Sequence, residues 1–381
     1  MKNEKPSLIA LQKYIGKLLE KGVKEGIFPC AAAGIIYGYG KEKIQCICHY
    51  GNATLLPEKR RLKENNFFDL ASLTKPLATT LAILCLIKEK KIDIDEKLPS
   101  LVEKKITGVK KKISLRNLLS HSSGLPAHRE YFKILEEIPA EKKKNYIEKL
   151  ILQESLEYNP GTAALYSDLG FILLGLIIEK KAGVMLDHYV AEKVLKPLNV
   201  GEKIFYSPLP EKNKSFKKTD FAATEKCPWR KKILCGEVHD DNCYTLGGVA
   251  GHSGLFGNIN GVTAYTGNIL DMWKGELKHP NIKREDLIHF LVRQEKIPGS
   301  SWALGFDTPA AKESSSGSYL SKKSIGHLGF TGTSFWIDPE REFAIVLLSN
   351  RVHPSRENTR IKQFRPCFHD RVIEKIFPRM K

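Results

Sequence analysis

A serine and a lysine three residues apart are the sharpest chemical signal in the chain. Ser72 and Lys75 stand in the stretch FFDLASLTKPLATT, where a short apolar segment leads into a long helical pattern. At the start of a helix, free backbone N–H groups and the helix dipole favour a developing oxyanion. Lys75 lies one turn later on the same face, so its amine can reach the Ser72 hydroxyl. Because a partly desolvated lysine can take a serine proton, the pair predicts a nucleophile with its base.

The same spacing occurs once more, at Ser215 and Lys218 in the stretch SFKK. That match falls in a lysine-rich polar segment over residues 211–219, which we interpret as solvated surface. Position at the start of an apolar helix therefore separates Ser72 from Ser215.

A tyrosine at 166 forms the second element. Tyr166, Ser167 and Asp168 follow a Pro160–Gly161 turn and precede the apolar segment 169–178. A tyrosine there could face Ser72 across a cleft and relay a proton to a leaving group. The structural alternative is an ordinary helix start, capped by Ser167 or Asp168.

A histidine close to glycines forms the third element. The stretch GHLGFTGT over residues 326–333 lies on a late strand candidate, and glycines in a strand permit close approach of a ligand or backbone. His327 would then present a titratable ring to the cleft. A lone histidine on a strand is more often structural.

These three elements, in this order and with strands at both ends of the chain, resemble the penicillin-recognising serine hydrolases. That family includes class C β-lactamases, DD-peptidases and their esterase and amidase relatives. The resemblance runs from about Pro29 to Pro354. It includes the stretches 115–126 (LRNLLSHSSGLP), 160–178, 251–257 (GHSGLFG) and 327–339.

The resemblance implies a role for each matching residue. Ser72 would be the nucleophile that forms an acyl-enzyme, Lys75 its proton acceptor and Tyr166 the proton relay. The oxyanion hole would consist of the backbone N–H groups of Ser72 and Phe330, provided that the stretch from His327 to Gly329 is placed correctly.

Two residues depart from the family pattern. Asp168 stands where the family usually has asparagine, so a carboxylate near Lys75 would favour its ammonium form and shift proton abstraction toward Tyr166. His327 stands where many members carry the lysine of Lys-Thr-Gly. Because histidine supplies less positive charge at neutral pH, it should bind the carboxylate of a β-lactam more weakly than lysine does. We therefore expect little β-lactamase activity.

One further stretch, GEVHDDN over residues 236–242, leads through glycines to His252. It most resembles the subgroup linked to cell-wall turnover, including exo-acting N-acetylmuramoyl-L-alanine amidases. His239, Asp240 and His252 are candidates for binding a sugar or peptide, and a hydrogen-bonded structural loop is the alternative. Ligand spacing for a metal is absent, so we predict neither a metal nor a cofactor. His121 is assigned to stabilising a turn.

The hydrophobic pattern predicts an α+β fold with an antiparallel sheet, flanked by helices from both chain ends, and an inserted, mostly helical domain. An amphipathic helix opens the chain, strands follow at 31–39, 43–49 and 67–70, and a helix runs from 72 to 90. Strands return at 324–337 and 343–349, and a last helix covers 357–376. The sheet domain comprises 1–71 with 300–381, and the helical domain comprises 72–299.

Length and composition limit the function classes. The chain has 381 residues and a net charge of +18. Its 42% hydrophobic and 27% charged residues are ordinary for a globular protein and exclude the disordered, collagen-like and disulfide-scaffold classes. Its eight cysteines lack a CxxC pair and are interpreted as reduced thiols. No signal peptide or bilayer-spanning stretch is recognised, so we expect a cytoplasmic protein without a transmembrane segment.

The partner predicted is a small-molecule or peptide-type substrate, and the basic charge would steer an anionic muropeptide toward the cleft. A muropeptide-type amide ranks first, a small ester second and a β-lactam third. A catalytically silent protein that binds wall fragments is the alternative of another class. A nucleic-acid binder is not supported, because the lysines are scattered and no recognition motif is present.

Overall fold

A six-stranded antiparallel sheet built from both ends of the chain forms the centre of the protein. The computed structural model describes residues 7–209 and 216–378. Its strands are β1 Cys30–Tyr37, β2 Ile44–Thr54, β3 Arg60–Arg61, β4 Phe68–Asp69, β5 Ile204–Tyr206, β6 Lys226–Cys227, β7 Lys232–Ile233, β8 Leu255–Gly257, β9 Ile325–Leu328, β10 Ser334–Asp338 and β11 Phe343–Ser349. The large sheet has the order β3-β2-β1-β11-β10-β9. β4, β8 and β5 form a second sheet, and β6 pairs with β7.

The helices cover both faces of the large sheet and build a thick layer beside it. They are α1 Leu8–Lys24, α2 Leu81–Lys88, α3 Leu98–Val102, α4 Leu115–Leu119, α5 Phe132–Leu135, α6 Ala140–Gln153, α7 Asp168–Ala182, α8 Leu186–Val190, α9 Asp241–Thr245, α10 Ile259–Lys274, α11 Arg284–Phe290 and α12 Ile361–Ile376. Short 3₁₀ and π turns lie between them, at Gly40–Glu42, Ala71–Leu73, Lys75–Thr80, Gly108–Lys112, Ala191–Leu195 and Lys218–Asp220.

The central strands β1 and β11 are buried along their whole length because helices cover both of their faces. Ala31 pairs with Ser349 and Tyr37 with Phe343 in an antiparallel register. α1 and α12 pack on one face and α10 on the other. Gly34 is required for this packing, since a Cβ there would stand 1.8 Å from Thr263 Oγ1 of α10. The antiparallel α+β arrangement predicted from the sequence is confirmed.

The middle of the chain contains more than helices. β5 to β8 lie within residues 72–299, and α10 from the same segment packs directly on the large sheet. One large apolar cluster runs from the sheet into the helical layer. The division into 1–71 with 300–381 and 72–299 stays a prediction.

Two boundaries near the predicted site differ from the sequence expectation. The single strand expected over 324–337 is interrupted between Leu328 and Ser334, because Gly332 (φ 108°) allows the chain to turn back. The single helix expected over 72–90 is a 3₁₀ turn, a π-helical segment and then α2. Pro76 has no N–H to donate to a regular α-helical ladder there, and a π turn is an irregularity typical of functional sites.

Smaller differences occur at the other ends. The expected strand over 67–70 is only β4, and it pairs with β8 instead of joining the large sheet. The last helix begins at Ile361 instead of 357, and the preceding loop carbonyls of Arg356 and Asn358 accept hydrogen bonds from Arg351. In the second SxxK match, Ser215 lies outside the described residues and Lys218 begins a 3₁₀ turn.

One helical stretch in the described ranges, Ala71–Lys88, has the length and apolar composition of a membrane-crossing helix, and 83% of that window is buried inside the protein.

Candidate functional site

Ser72 lies in a tight turn that an aspartate holds in shape. Ala71, the residue before it, has a φ of 48°, which is unfavourable for a residue with a side chain. Buried Asp69 stabilises this turn, because its Oδ1 accepts from Ala71 N at 2.8 Å. Its Oδ2 accepts from His239 N at 2.6 Å. Asp69 therefore links the serine turn to the loop that carries His239.

Two side chains donate hydrogen bonds to the Ser72 hydroxyl. Lys75 Nζ lies 3.0 Å from Ser72 Oγ, and the Tyr166 hydroxyl lies 2.7 Å from the same oxygen. The lysine and the tyrosine reach the serine from different elements, the π-helical segment and the loop before α7. The sequence elements at Ser72, Lys75 and Tyr166 thus meet at one atom.

Lys75 is completely buried and all three protons of its ammonium group are used. Besides Ser72 it donates to Asp168 Oδ1 at 2.7 Å and to the His252 carbonyl at 3.1 Å. Burial alone would lower the pKa of Lys75, but the charge and hydrogen bond of Asp168, with a further contribution from Tyr166, raise it above its ordinary value. The resting site therefore holds an ammonium ion.

Asp168 is the first residue of α7 and carries the counter-charge of this ammonium. Burial alone would raise the pKa of Asp168, but Lys75 and the neighbouring histidines hold it well below its usual range. Its Oδ2 lies 3.5 Å from His128 Nδ1, and that contact raises the pKa of His128. The helix cap is Ser167, whose side chain accepts from Gly170 N. Both alternatives for the Tyr166–Asp168 segment are thus present: Ser167 caps the helix, and Tyr166 contacts Ser72.

Tyr166 is enclosed by aromatic rings. Its ring lies 5.6 Å from Trp302 in a stacked arrangement and 4.7 Å from His121. Burial raises the pKa of Tyr166 to about 12 although the Lys75 ammonium acts in the opposite sense. The tyrosine is therefore protonated at rest and donates to Ser72. His121 itself accepts from Ser167 N at 3.1 Å, in line with the turn-stabilising assignment.

His327 lies on β9 with its ring turned toward the cavity. Its Nδ1 is 2.8 Å from the Leu328 carbonyl, and because a carbonyl only accepts, Nδ1 carries the proton. Its Nε2 is buried and has no hydrogen-bond partner among the described residues. Burial, reinforced by the Lys75 ammonium, lowers the pKa of His327 to about 3. The ring is neutral at pH 7 and offers an acceptor to the cavity.

The turn after β9 is fastened to the serine turn by two threonines. Thr331 Oγ1 donates to the Asp69 carbonyl at 2.7 Å, and Thr333 Oγ1 donates to the Leu70 carbonyl at 3.1 Å. The two turns lie so close together that a Cβ on Gly329 would stand 2.7 Å from the Leu70 carbonyl oxygen. This turn packs against Asp69 and Leu70, which precede the serine turn, and Phe330 lines the same cavity as Ser72.

Two carboxylate–histidine pairs lie here, His252 with Asp240 and His239 with Glu225. His252 Nε2 is 2.8 Å from Asp240 Oδ1, and the same oxygen caps α9 by accepting from Cys243 N. His239 Nε2 is 3.0 Å from Glu225 Oε2. Nowhere in residues 7–209 and 216–378 do three or more His, Cys, Asp or Glu side chains form a group that could hold a metal.

A cavity of about 700 Å³ opens above Ser72. It brings together every predicted site residue except Lys75, which lies buried behind Ser72; the lining includes Ser72, Tyr166, Asp168, His239, Asp240, His252, His327, Gly329 and Phe330. Phe330 is half exposed in it.

Several lining residues were not found from the sequence. Trp302 stacks on Tyr166 from an irregular loop, and no periodicity or motif surrounds it. The wall beside α12 is basic and carries Arg351, Arg356, Lys362 and Arg365. The only signal for this wall was a cluster of arginines after the last strand, which resembles a solvated helix start.

The antiparallel sheet, the helical layer and the arrangement around Ser72 define the class of the penicillin-recognising serine hydrolases. A family model described as Beta-lactamase matches residues 17–365, and the chain belongs to the beta-lactamase family. The protein is a hydrolase of this family.

Named relatives agree with that assignment. The chain is 32% identical over 379 residues to an N-acetylmuramyl-L-alanine amidase of Bacillus subtilis (strain 168), covering 90% of this chain and 81% of the relative. A protein of Escherichia coli (strain K12), provisionally named a D-alanyl-D-alanine carboxypeptidase, is 32% identical over 324 residues, covering 80% of this chain and 73% of that protein. The octameric penicillin-binding protein homologue from Pyrococcus abyssi has a similar fold, with a TM-score of 0.68, 19% identity and coverage of 89% and 73%.

Proposed function

We propose that the protein hydrolyses an amide through an acyl-enzyme on Ser72, and that the amide belongs to a peptidoglycan-derived muropeptide. The observation that carries the proposal is the pair of hydrogen bonds from Lys75 and Tyr166 to Ser72 Oγ at the floor of the cavity. A serine becomes an effective nucleophile only when a neighbouring group takes its proton.

Tyr166 is the proton acceptor in this mechanism. The Lys75 ammonium is held by Asp168 and has no free lone pair, so it acts by stabilising the deprotonated form of Tyr166. The phenolic proton of Tyr166 first leaves to solvent, so the phenolate is the reactive form. As Ser72 Oγ then attacks the carbonyl carbon, its proton moves to the Tyr166 phenolate oxygen. The carbonyl oxygen gains the negative charge and lies between the backbone N–H groups of Ser72 and Phe330.

Collapse of this intermediate breaks the bond to the leaving nitrogen, which receives the proton from Tyr166. An acyl-enzyme on Ser72 and a free amine result. Water then attacks the ester carbonyl and gives a proton to the Tyr166 phenolate, which returns that proton to Ser72 Oγ as this oxygen leaves. The carboxylic acid is released, and the phenolate takes a proton from solvent, which restores the resting state.

Two observations support the substrate class. The relative from Bacillus subtilis is named an N-acetylmuramyl-L-alanine amidase, and this chain spans most of its length. On the wall beside α12, exposed Lys362 suits a carboxylate of a peptide stem, whereas Arg356 is already paired with Glu225. Neutral His327 adds no positive charge to the Lys75 ammonium, which Asp168 already neutralises, so we expect weak activity on β-lactams. Esters and the silent wall-fragment binder are outcomes that the test distinguishes.

The test is labelling with a fluorophosphonate, followed by a hydrolysis panel of muropeptides, p-nitrophenyl esters and nitrocefin. Wild type should be labelled and Ser72→Ala should not. Ser253→Ala is the matched control, because Ser253 lines the same cavity and its Oγ bonds to no described residue. Mass spectrometry of the Ser72 peptide identifies the acyl group.

Each outcome decides between the candidate functions. Fastest turnover of the muropeptide supports the amidase, and fastest turnover of the ester supports an esterase instead. Labelling that persists in Ser72→Ala, or is absent in the folded wild type, contradicts the acyl-enzyme.

A further inference from the structure

A buried arginine of α12 holds the turn that carries the Phe330 N–H. Arg365 is only 5% exposed. Its Nη2 donates to the Gly329 carbonyl at 2.7 Å and to the Thr333 carbonyl at 2.8 Å. Gly332 N also donates to the Gly329 carbonyl, at 3.1 Å. One guanidinium thus connects both ends of the turn between β9 and β10.

The Gly329 carbonyl and the Phe330 N–H belong to the same peptide unit. In a trans peptide these two groups point in opposite directions, so fixing the carbonyl fixes the direction of the N–H. Neither Phe330 N nor Ser72 N donates to a group of the described chain. Arg365 holds the carbonyl from behind, which leaves the N–H of Phe330 directed away from α12.

We propose that Arg365 is a positioning residue for the oxyanion hole, which orients and polarises the Gly329–Phe330 peptide toward the substrate oxygen. This inference rests on the proposed acyl-enzyme function. Arg365 is a cation that belongs to none of the three sequence elements around Ser72, Tyr166 and His327.

The charge of Arg365 is not neutralised inside the protein. No described carboxylate forms an ion pair with it, its Nε is buried without a partner, and the neighbouring charge that acts on it is another cation, Arg351. An unpaired buried cation is costly to keep. A cation bonded to the carbonyl end of a peptide strengthens the N–H at the other end as a donor, and it attracts an oxygen that becomes negative.

A purely structural role would predict something different. If Arg365 only joined α12 to the turn, its loss would lower stability and leave the chemistry of correctly folded molecules unchanged. If it orients the oxyanion hole, its loss lowers transition-state binding more than substrate binding. The two roles therefore separate in a comparison of kcat, KM and the affinity for a tetrahedral adduct.

The experiment compares wild type with Arg365→Met, Arg365→Lys and the control Arg371→Met, which removes an exposed arginine from the same helix. The readouts are the rate of fluorophosphonate labelling, kcat and KM on the fastest substrate of the panel, and the affinity for phenylboronic acid, whose adduct with Ser72 carries an oxygen in the oxyanion position. Far-UV circular dichroism and the melting temperature report folding.

We expect Arg365→Met to lower kcat and the labelling rate by about 10²- to 10³-fold, the usual effect of losing one oxyanion donor, with KM changed by less than about threefold. The boronate affinity should fall in parallel. Arg365→Lys should recover about tenfold, because an ammonium supplies the charge with a different geometry. Arg371→Met should match wild type.

Three results would overturn the inference. The first is that Arg365→Met folds and its kcat stays within about threefold of that of wild type. The second is that Arg365→Met has a lower kcat but an unchanged affinity for the boronate. If Arg365→Met does not fold, folded Arg365→Lys with wild-type kcat and boronate affinity is the third. A wild type that is not labelled at all refutes the proposed function itself, which is a distinguishable failure.

Discussion

Replacing Asp168 by asparagine tests the protonation state on which the mechanism depends. Asp168 Oδ1 lies 2.7 Å from Lys75 Nζ, and the lysine is fully buried. Opposite charges about 4 Å apart at an effective dielectric constant of about 20 attract by about 4 kcal/mol, which corresponds to about a thousandfold in proton affinity. Asparagine keeps an oxygen that accepts from Lys75 but removes this attraction. Burial then dominates, and it favours the neutral amine.

The assay is the rate of fluorophosphonate labelling as a function of pH, between about pH 6 and pH 10. In wild type the Lys75 ammonium persists and the acceptor is Tyr166, whose pKa is about 12. The labelling rate should therefore rise with pH through the whole range without a plateau. In Asp168→Asn the amine of Lys75 becomes an available base, so the rate should reach a plateau inside the range.

Glu130→Gln is the matched control, since Glu130 also lines the cavity but pairs with Lys133 and does not contact Lys75. It should reproduce the wild-type profile. A profile of Asp168→Asn that superimposes on that of wild type would show that Asp168 does not set the protonation of Lys75. A plateau in wild type itself would contradict the assignment of Tyr166 as the acceptor.

Two further predictions concern the turn after β9 and the pH dependence of stability. Gly329→Ala should lower the labelling rate at least about 100-fold and lower the free energy of unfolding in urea by about 1–3 kcal/mol, because the new Cβ would stand 2.0 Å from Thr333 Oγ1. The control is Gly16→Ala, which adds a Cβ in open space. A wild-type labelling rate in Gly329→Ala would contradict the close contact. His369 is fully buried, and burial lowers its pKa to about 3. As the pH falls, His369 is therefore protonated in the unfolded chain before it is protonated in the folded one. This difference should lower the free energy of unfolding by about 2 kcal/mol between pH 7 and pH 5. His369→Leu should remove that share of the pH slope in urea unfolding, and an unchanged slope would contradict the prediction.

The local sequence was sufficient where chemistry and secondary structure share a short segment. Ser72 and Lys75 are one helical turn apart, so their contact follows from spacing alone. Tyr166 and Asp168 lie about ninety residues further on. The contact of Tyr166 with Ser72 was one of two alternatives that the residues themselves left open, and the contact of Asp168 with Lys75 followed from the family resemblance. The hydrophobic pattern also predicted the antiparallel sheet. It indicated strands at both ends of the chain, and such strands must pair with each other.

Long-range hydrogen bonds could not be predicted in this way. Thr331 binds the carbonyl of Asp69 across 262 residues, and no sequence pattern reports such a pair. Trp302 lies in an irregular loop where no periodicity indicates which way a side chain points. Arg365 reads as a charged residue on an amphipathic helix, and such residues are normally exposed. Only the fold reveals that its guanidinium is buried against the turn between β9 and β10.

The two departures from the family motif act on the cavity in the same direction. Asp168 in place of asparagine adds a negative charge beside Lys75, and neutral His327 in place of lysine removes a positive one. The surroundings of Ser72 are therefore two charges more negative than the usual motif would make them. An anionic group directly beside the scissile bond, as in a β-lactam, would meet only the Lys75 ammonium there, and Asp168 already neutralises that charge. Under the proposed function, an anionic group further along a peptide would meet exposed Lys362 on the wall beside α12, where Arg356 is already paired with Glu225. We therefore expect the distribution of charge within the cavity, and not the net charge of +18, to favour an extended substrate.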